Sequence, residues 1–233
     1  MNGGPSSTRG LELLAPAGGP DALRAAVRNG ADAVYLGTTE LNARRSAENF
    51  RLDTLREACD YAHLRGAKVY LTANVVVLQD EMKPALEMVA RAWEAGVDAV
   101  IVQDLGLMAC IQRSLPEVRI HASTQIDAHN SATVAVLQGL GVSRITLARE
   151  LSVPEIQDLA SSSGVELESF VHGSLCFSHS GQCLMSSLIG GRSANRGQCA
   201  QPCRLPYDLA GPGGVIAEVP GRYLLSPKDL CGI

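Results

Sequence analysis

Short apolar runs alternate with amphipathic stretches from Leu11 onward, and the two periods follow one another in a regular order. Leu11–Leu14, Asp32–Gly37, Lys68–Val75, Asp98–Asp104, Arg119–Gln125, Ser143–Arg149 and Val165–His172 are compact and β-branched, which predicts buried strands. Between them, apolar residues recur at helical spacing. This predicts helices from Pro20, over Leu52–Arg65, Met82–Ala95, Leu105–Ser114 and Ser131–Gly139, and over Pro154–Ser161. Proline at the start of the first helix suits its first turn. A weak repeat supports the series. Asn29-Gly30-Ala31-Asp32-Ala33-Val34 returns as Ala95-Gly96-Val97-Asp98-Ala99-Val100, and more loosely as Leu140-Gly141-Val142-Ser143-Arg144-Ile145. Each copy reads as a helix end, a glycine stop and the entry to a strand.

Seven strands joined by six helices predict parallel neighbours and right-handed crossovers. With no glycine-rich phosphate loop after the first strand, and polar residues at most strand ends, the expected fold is an α/β (β/α)8 TIM-type barrel. It lacks one strand, and a cysteine-rich loop follows the seventh. The expected organisation is a disordered tail over 1–10, barrel units over 11–175, a cysteine loop over 176–204, and a hairpin followed by the start of a truncated C-terminal helix over 205–233. Open edges on the first and seventh strands invite a partner chain or self-association.

Composition narrows the class. The chain has 233 residues, 46% of them hydrophobic and 19% charged, which suits a packed domain and excludes a disordered one. A net charge of −4 supplies no global field for nucleic acid or membrane. No apolar run reaches the roughly 18 residues of a spanning helix, and the first ten residues do not resemble a signal peptide, so a cytoplasmic location is expected.

In a barrel the chemistry sits at the C-terminal ends of the strands. Those ends supply Asn42, Arg44, Asn74, Asp104, Gln125, Arg149, Glu150 and His172, a set suited to a polar or anionic small molecule. Each residue singly could equally cap a helix or hold a loop. No nucleophile, base and orienting group can be picked out, so catalytic residues are left unassigned.

The loop after the seventh strand is different in kind. Cys176, Cys183, Cys199 and Cys203 are spaced C-x6-C-x15-C-x3-C. Clustered thiols in a reducing compartment point to metal rather than disulfides. Four thiolates on a glycine-rich loop suit an iron–sulfur cluster or a structural zinc, and the wide first spacing favours the cluster.

Several segments resemble the peptidase U32 family. They are Leu13-Leu14-Ala15-Pro16-Ala17-Gly18, Ser123-Thr124-Gln125, Leu147-Ala148-Arg149-Glu150-Leu151, Phe170-Val171-His172-Gly173, the loop from Asn195 to Arg204, and Ser226-Pro227-Lys228-Asp229-Leu230-Cys231. The resemblance implies a 4Fe–4S cluster on Cys176, Cys183 and Cys199, with Cys203 as fourth ligand and Cys231 in reserve. It also implies a hydroxylase acting on RNA (a tRNA uridine or an rRNA cytidine) with prephenate as co-substrate, or on a small aromatic molecule. The family name carries a second reading, a collagenase-like peptidase. A third is a scaffold subunit whose loop binds zinc structurally.

Overall fold

The computed structural model describes residues 10–44, 47–217 and 223–231. Seven strands form one parallel sheet in chain order: β1 (Leu14–Pro16), β2 (Ala33–Gly37), β3 (Lys68–Ala73), β4 (Ala99–Val102), β5 (Ile120–Ala122), β6 (Val142–Thr146) and β7 (Glu166–Glu168). Six helices link them: α1 (Pro20–Arg28), α2 (Leu55–His63), α3 (Met82–Ala95), α4 (Leu105–Ser114), α5 (Ser131–Gly139) and α6 (Val153–Ser162). This is the expected barrel-type α/β fold. Within the described residues β1 pairs only with β2 and β7 only with β6, so seven strands curl without closing.

The repeat has a backbone cause. Gly30, Gly96 and Gly141 all carry positive φ, at 93°, 108° and 75°, a region that side chains disfavour. Each lets a helix end sharply so that the next residues can enter the sheet.

Strand alternation divides the interior in two. Val34, Leu36, Val69, Leu71, Val100 and Ile145 point outward and are buried against the helices with Leu55, Leu107 and Ile111. The concave side begins with a small apolar group, Ala33, Tyr70, Ala99 and Ile101. Beyond it the concave side turns polar. Arg144, its side chain 9% exposed, reaches Glu12 at 2.6 Å and Glu166 at 2.6 Å, with Glu168 at 3.8 Å. Burial would raise the Glu12 pKa, but hydrogen bonds from Arg144, Lys68 and Tyr70 outweigh it and hold the carboxyl down at about 2.

Replacing Arg144 by Met is expected to destabilise the fold by about 2–3 kcal/mol in urea titration, because it removes the buried cation from the half-buried Glu12 and Glu168, Glu12 keeping only Lys68. Adding Glu12→Gln should recover part of that loss. Since the folded pKa of Glu12 is depressed, its stabilisation is present above its ordinary value of 4.5 and is lost as pH falls towards 2.

Three expectations are corrected. The first strand begins at Leu14, since Leu11 and Leu13 are 94% and 53% exposed. The run expected as one strand over Val165–His172 ends at Glu168, and His172–Gly173 forms a separate strand, β8. The expected C-terminal helix is a strand instead: β11 (Leu230–Cys231) pairs antiparallel with β8. The expected hairpin exists as β9 (Leu209–Gly211) and β10 (Gly214–Ala217), paired with each other. The expected tail falls, except for Gly10, outside the described residues. No helix among the described residues is long and apolar enough to cross a membrane.

Candidate functional site

A cavity of about 750 Å³ opens at the C-terminal ends of the strands. All seven strands or the turns after them contribute to its wall, which places it where barrel active sites lie. Its roof is the loop after β8, including the short helix α7 (Met185–Gly190). Cys176, Cys183, Cys199 and Cys203 all line it.

The thiols sit close enough to influence one another. Burial pushes the Cys203 thiol up, and the charges of Cys176, Cys199 and Cys183 push it further while Arg204 opposes them. Cys199 Sγ accepts a hydrogen bond from the Gln201 backbone N–H at 3.4 Å and lies 3.9 Å from the Ser186 hydroxyl. Contacts of this kind tune sulfur ligands. Four soft donors on one cavity wall, with amide and hydroxyl groups at one sulfur, fit an iron–sulfur cluster. Cys231 is exposed in β11 and does not line the cavity. Cys59 is fully buried in the core, where burial raises its thiol to about 12, so it packs as an apolar residue.

The loop is docked on the barrel by specific contacts. Arg149 Nε donates to Ser180 Oγ at 3.1 Å and its Nη2 to the Ser178 carbonyl at 3.4 Å. Glu150 accepts from the Ser180 N–H at 3.0 Å and from its hydroxyl at 3.1 Å. Arg196 pairs with Glu81 at 2.5 Å and donates to the Val76 carbonyl, pinning the far end of the loop beside α3. Gly181 packs against the backbone of the turn after β5. Its φ is +74°, and a Cβ there would run into the Gln125 carbonyl oxygen.

The expected substrate-binding residues separate accordingly. Arg44, Asn74, Gln125, Arg149 and His172 line the cavity. Asn42 lines it too, but is buried and holds its own loop: it donates to Asn49 at 2.7 Å and accepts from Arg44 N and Thr72 Oγ1. Asn74 Oδ1 accepts from Ala43 N at 3.0 Å. Among the described residues no carboxylate pairs with Arg44. Glu150 is outside the wall, engaged with Ser180.

Asp104 is also outside the wall, a correction with a clear cause. Its Oδ1 accepts from Leu107 N at 2.9 Å to cap α4, and its Oδ2 accepts from Val77 N at 3.1 Å. Asp104→Ala should therefore cost about 1–2 kcal/mol in thermal or urea unfolding, while ligand affinity stays unchanged.

Glu168 was not anticipated. It lines the cavity, its Oε1 accepts from Thr146 Oγ1 at 3.0 Å, and its buried Oε2 has no hydrogen-bond donor. Burial raises its pKa, with Thr146 and Arg144 opposing the shift. Its signal was present in the strand pattern: Glu166 and Glu168 occupy alternate positions of a barrel strand, so both carboxylates share the concave face.

The model of peptidase family U32 matches residues 18–233. The chain belongs to that family. It is 40% identical to the 23S rRNA 5-hydroxycytidine C2501 synthase of Escherichia coli K12 over 96% of the chain and 33% of that protein. It is 43% identical to an uncharacterized protease of Methanocaldococcus jannaschii, over 96% of the chain and 56% of the relative. It is 37% identical to tRNA hydroxylation protein P1 of Bacillus subtilis 168, over 99% of the chain and 56% of the relative. The chain thus spans a third to somewhat over half the length of these relatives.

Proposed function

We propose that this U32 chain is the catalytic barrel of a cytoplasmic, iron–sulfur-dependent hydroxylase that acts on a pyrimidine base in RNA. The observation that carries the reading is the gathering of Cys176, Cys183, Cys199 and Cys203 over one strand-end cavity. The names of the rRNA and tRNA relatives supply the substrate class. A bound cluster on these cysteines supplies electron transfer.

The remaining work belongs to the cavity walls. About 750 Å³ suits a flipped-out base together with a small carboxylate donor such as prephenate. Arg44 meets the donor's carboxylate with a planar, permanently charged fork. The side chains of Asn74 and Gln125 lie on the same wall and supply amide groups for the edge of the base. Hydroxylation replaces C–H by C–OH: the oxygen atom and the two-electron oxidation must come from an oxidising co-substrate, and the proton that leaves carbon needs a base. Glu168, whose Oε2 has the Arg144 guanidinium 3.8 Å away but no hydrogen-bond donor and whose pKa burial raises, is placed to accept it.

The peptidase reading finds less support in this geometry. Among the described residues no serine hydroxyl is hydrogen-bonded to a histidine, and the buried Ser180 is bonded to Arg149 and Glu150.

Nucleoside mass spectrometry on RNA from cells lacking the gene, and from complemented cells, tests the proposal. A pyrimidine nucleoside one oxygen heavier should vanish on deletion and return with the gene. Unchanged RNA, together with gelatin hydrolysis by the purified protein, would refute it.

A further inference from the structure

A second constellation joins the cysteine loop to the turns after β5 and β6, and its His179 also lines the cavity. Asp127, His129, Glu150 and His179 each bring one nitrogen or oxygen to within 4.8 Å of the others. They come from three separate segments. Asp127 and His129 follow the 3₁₀ turn Thr124–Ile126 after β5, Glu150 follows β6, and His179 sits between Cys176 and Cys183 in the loop.

The local geometry prepares these groups to bind an ion. His129 Nδ1 is 2.9 Å from the Asp127 carbonyl oxygen. A carbonyl can only accept, so that nitrogen carries the proton and Nε2 keeps its lone pair. Nε2 faces Glu150 Oε2 at 3.9 Å, and Glu150 Oε1 faces His179 Nδ1 at 4.0 Å. The two imidazoles lie with centroids 5.9 Å apart. Asp127 is held in the left-handed region at φ +67°, and its buried Oδ1 lies 3.3 Å from His129 Nδ1 without a hydrogen bond of its own. The Ser180 contacts to Glu150 supply the outer bonds that orient a ligating carboxylate, as the Asp127 carbonyl does for His129.

We propose that Asp127, His129, Glu150 and His179 form a site for a divalent first-row transition ion of the zinc type, separate from the cysteines. Two neutral imidazoles and two carboxylates carry a charge of −2, which a dication balances. Nitrogen and oxygen donors without a thiolate suit zinc, manganese or ferrous iron, whereas the cysteines take softer chemistry. Tetrahedral ligands at about 2.0–2.2 Å stand about 3.4 Å apart, so the present spacing must contract modestly. His179, its side chain 67% exposed, has room to change rotamer and supply this. Binding would fasten the cysteine loop to the turns after β5 and β6. This inference does not depend on the hydroxylase reading.

The test uses Co²⁺ and Zn²⁺ on the chain with Cys176, Cys183, Cys199, Cys203 and the exposed Cys231 all replaced by Ser, which removes the competing thiolates. One equivalent should bind, and bound Co²⁺ should show visible ligand-field bands without thiolate charge transfer. His129→Gln with His179→Gln in that background should weaken Zn²⁺ binding at least tenfold while the circular dichroism spectrum is retained. Crystals of the unaltered protein soaked in zinc keep the test independent of the variants. An anomalous peak should lie between His129 and His179. Zinc found only at the cysteines, or an affinity unmoved by the double His substitution, would overturn the proposal.

Discussion

Replacing Cys176, Cys183 or Cys199 by Ser is expected to abolish both the visible chromophore and RNA hydroxylation, with activity falling to background. A hydroxyl oxygen is a hard donor and substitutes poorly for a thiolate on iron. All three residues line the same cavity, and on the proposed reading each would supply one thiolate to the cluster. Cys59→Ala is the matched control. Its side chain is packed in the core, and the substitution should lower stability by about 1 kcal/mol while iron content stays intact. Absorption spectra and iron assays on anaerobically purified variants read both arms. A Cys176→Ser, Cys183→Ser and Cys199→Ser triple variant with full iron would place the metal elsewhere.

The second large effect is expected from a single methyl group. Gly181→Ala should reduce activity about a hundredfold or more, although residue 181 carries no functional group. Its backbone has φ +74°, which strains any side chain, and a new Cβ would collide with the Gln125 carbonyl. The collision is with backbone on a barrel turn, so the loop must lift. Lifting it moves Cys176 and Cys183, which flank this position, away from the wall carrying Gln125 and Arg149. Displacements of about 1 Å at a reacting centre cost on the order of a hundredfold in rate. The variant should unfold close to the wild-type temperature, because the barrel core does not involve the loop. Normal activity in Gly181→Ala would mean that loop docking is irrelevant to the chemistry.

Local patterning explains what could be read before the structure was seen. The helices Met82–Ala95, Leu105–Ser114 and Ser131–Gly139 have the same ends in the sequence pattern and in the structure. The amphipathic period of Met82–Ala95 with its Gly96 stop, and the side-chain caps from Asp104 and Asn130, make their limits local properties. The pairing of Leu230–Cys231 with His172–Gly173 was not legible, since two-residue strands far apart in sequence leave no period to detect. At the strand ends, residue type alone could not separate roles. Asp104 and Arg44 are both polar groups in strand-end loops, yet one caps α4 and the other faces the cavity. That difference lies in which backbone N–H groups the fold brings within reach. For Glu168 the alternation with Glu166 gives the face of the strand, but not that the curl of the sheet half-buries it beside the buried Arg144 and Tyr70.

The central claim is that the four cysteines of the loop hold a redox-active cluster over the strand-end cavity. Anaerobic quantification of iron and acid-labile sulfide on the purified chain tests it most directly. The account predicts a brown protein with about four iron and four sulfide per chain. A colourless protein holding zinc at these cysteines, with no sulfide, would contradict it.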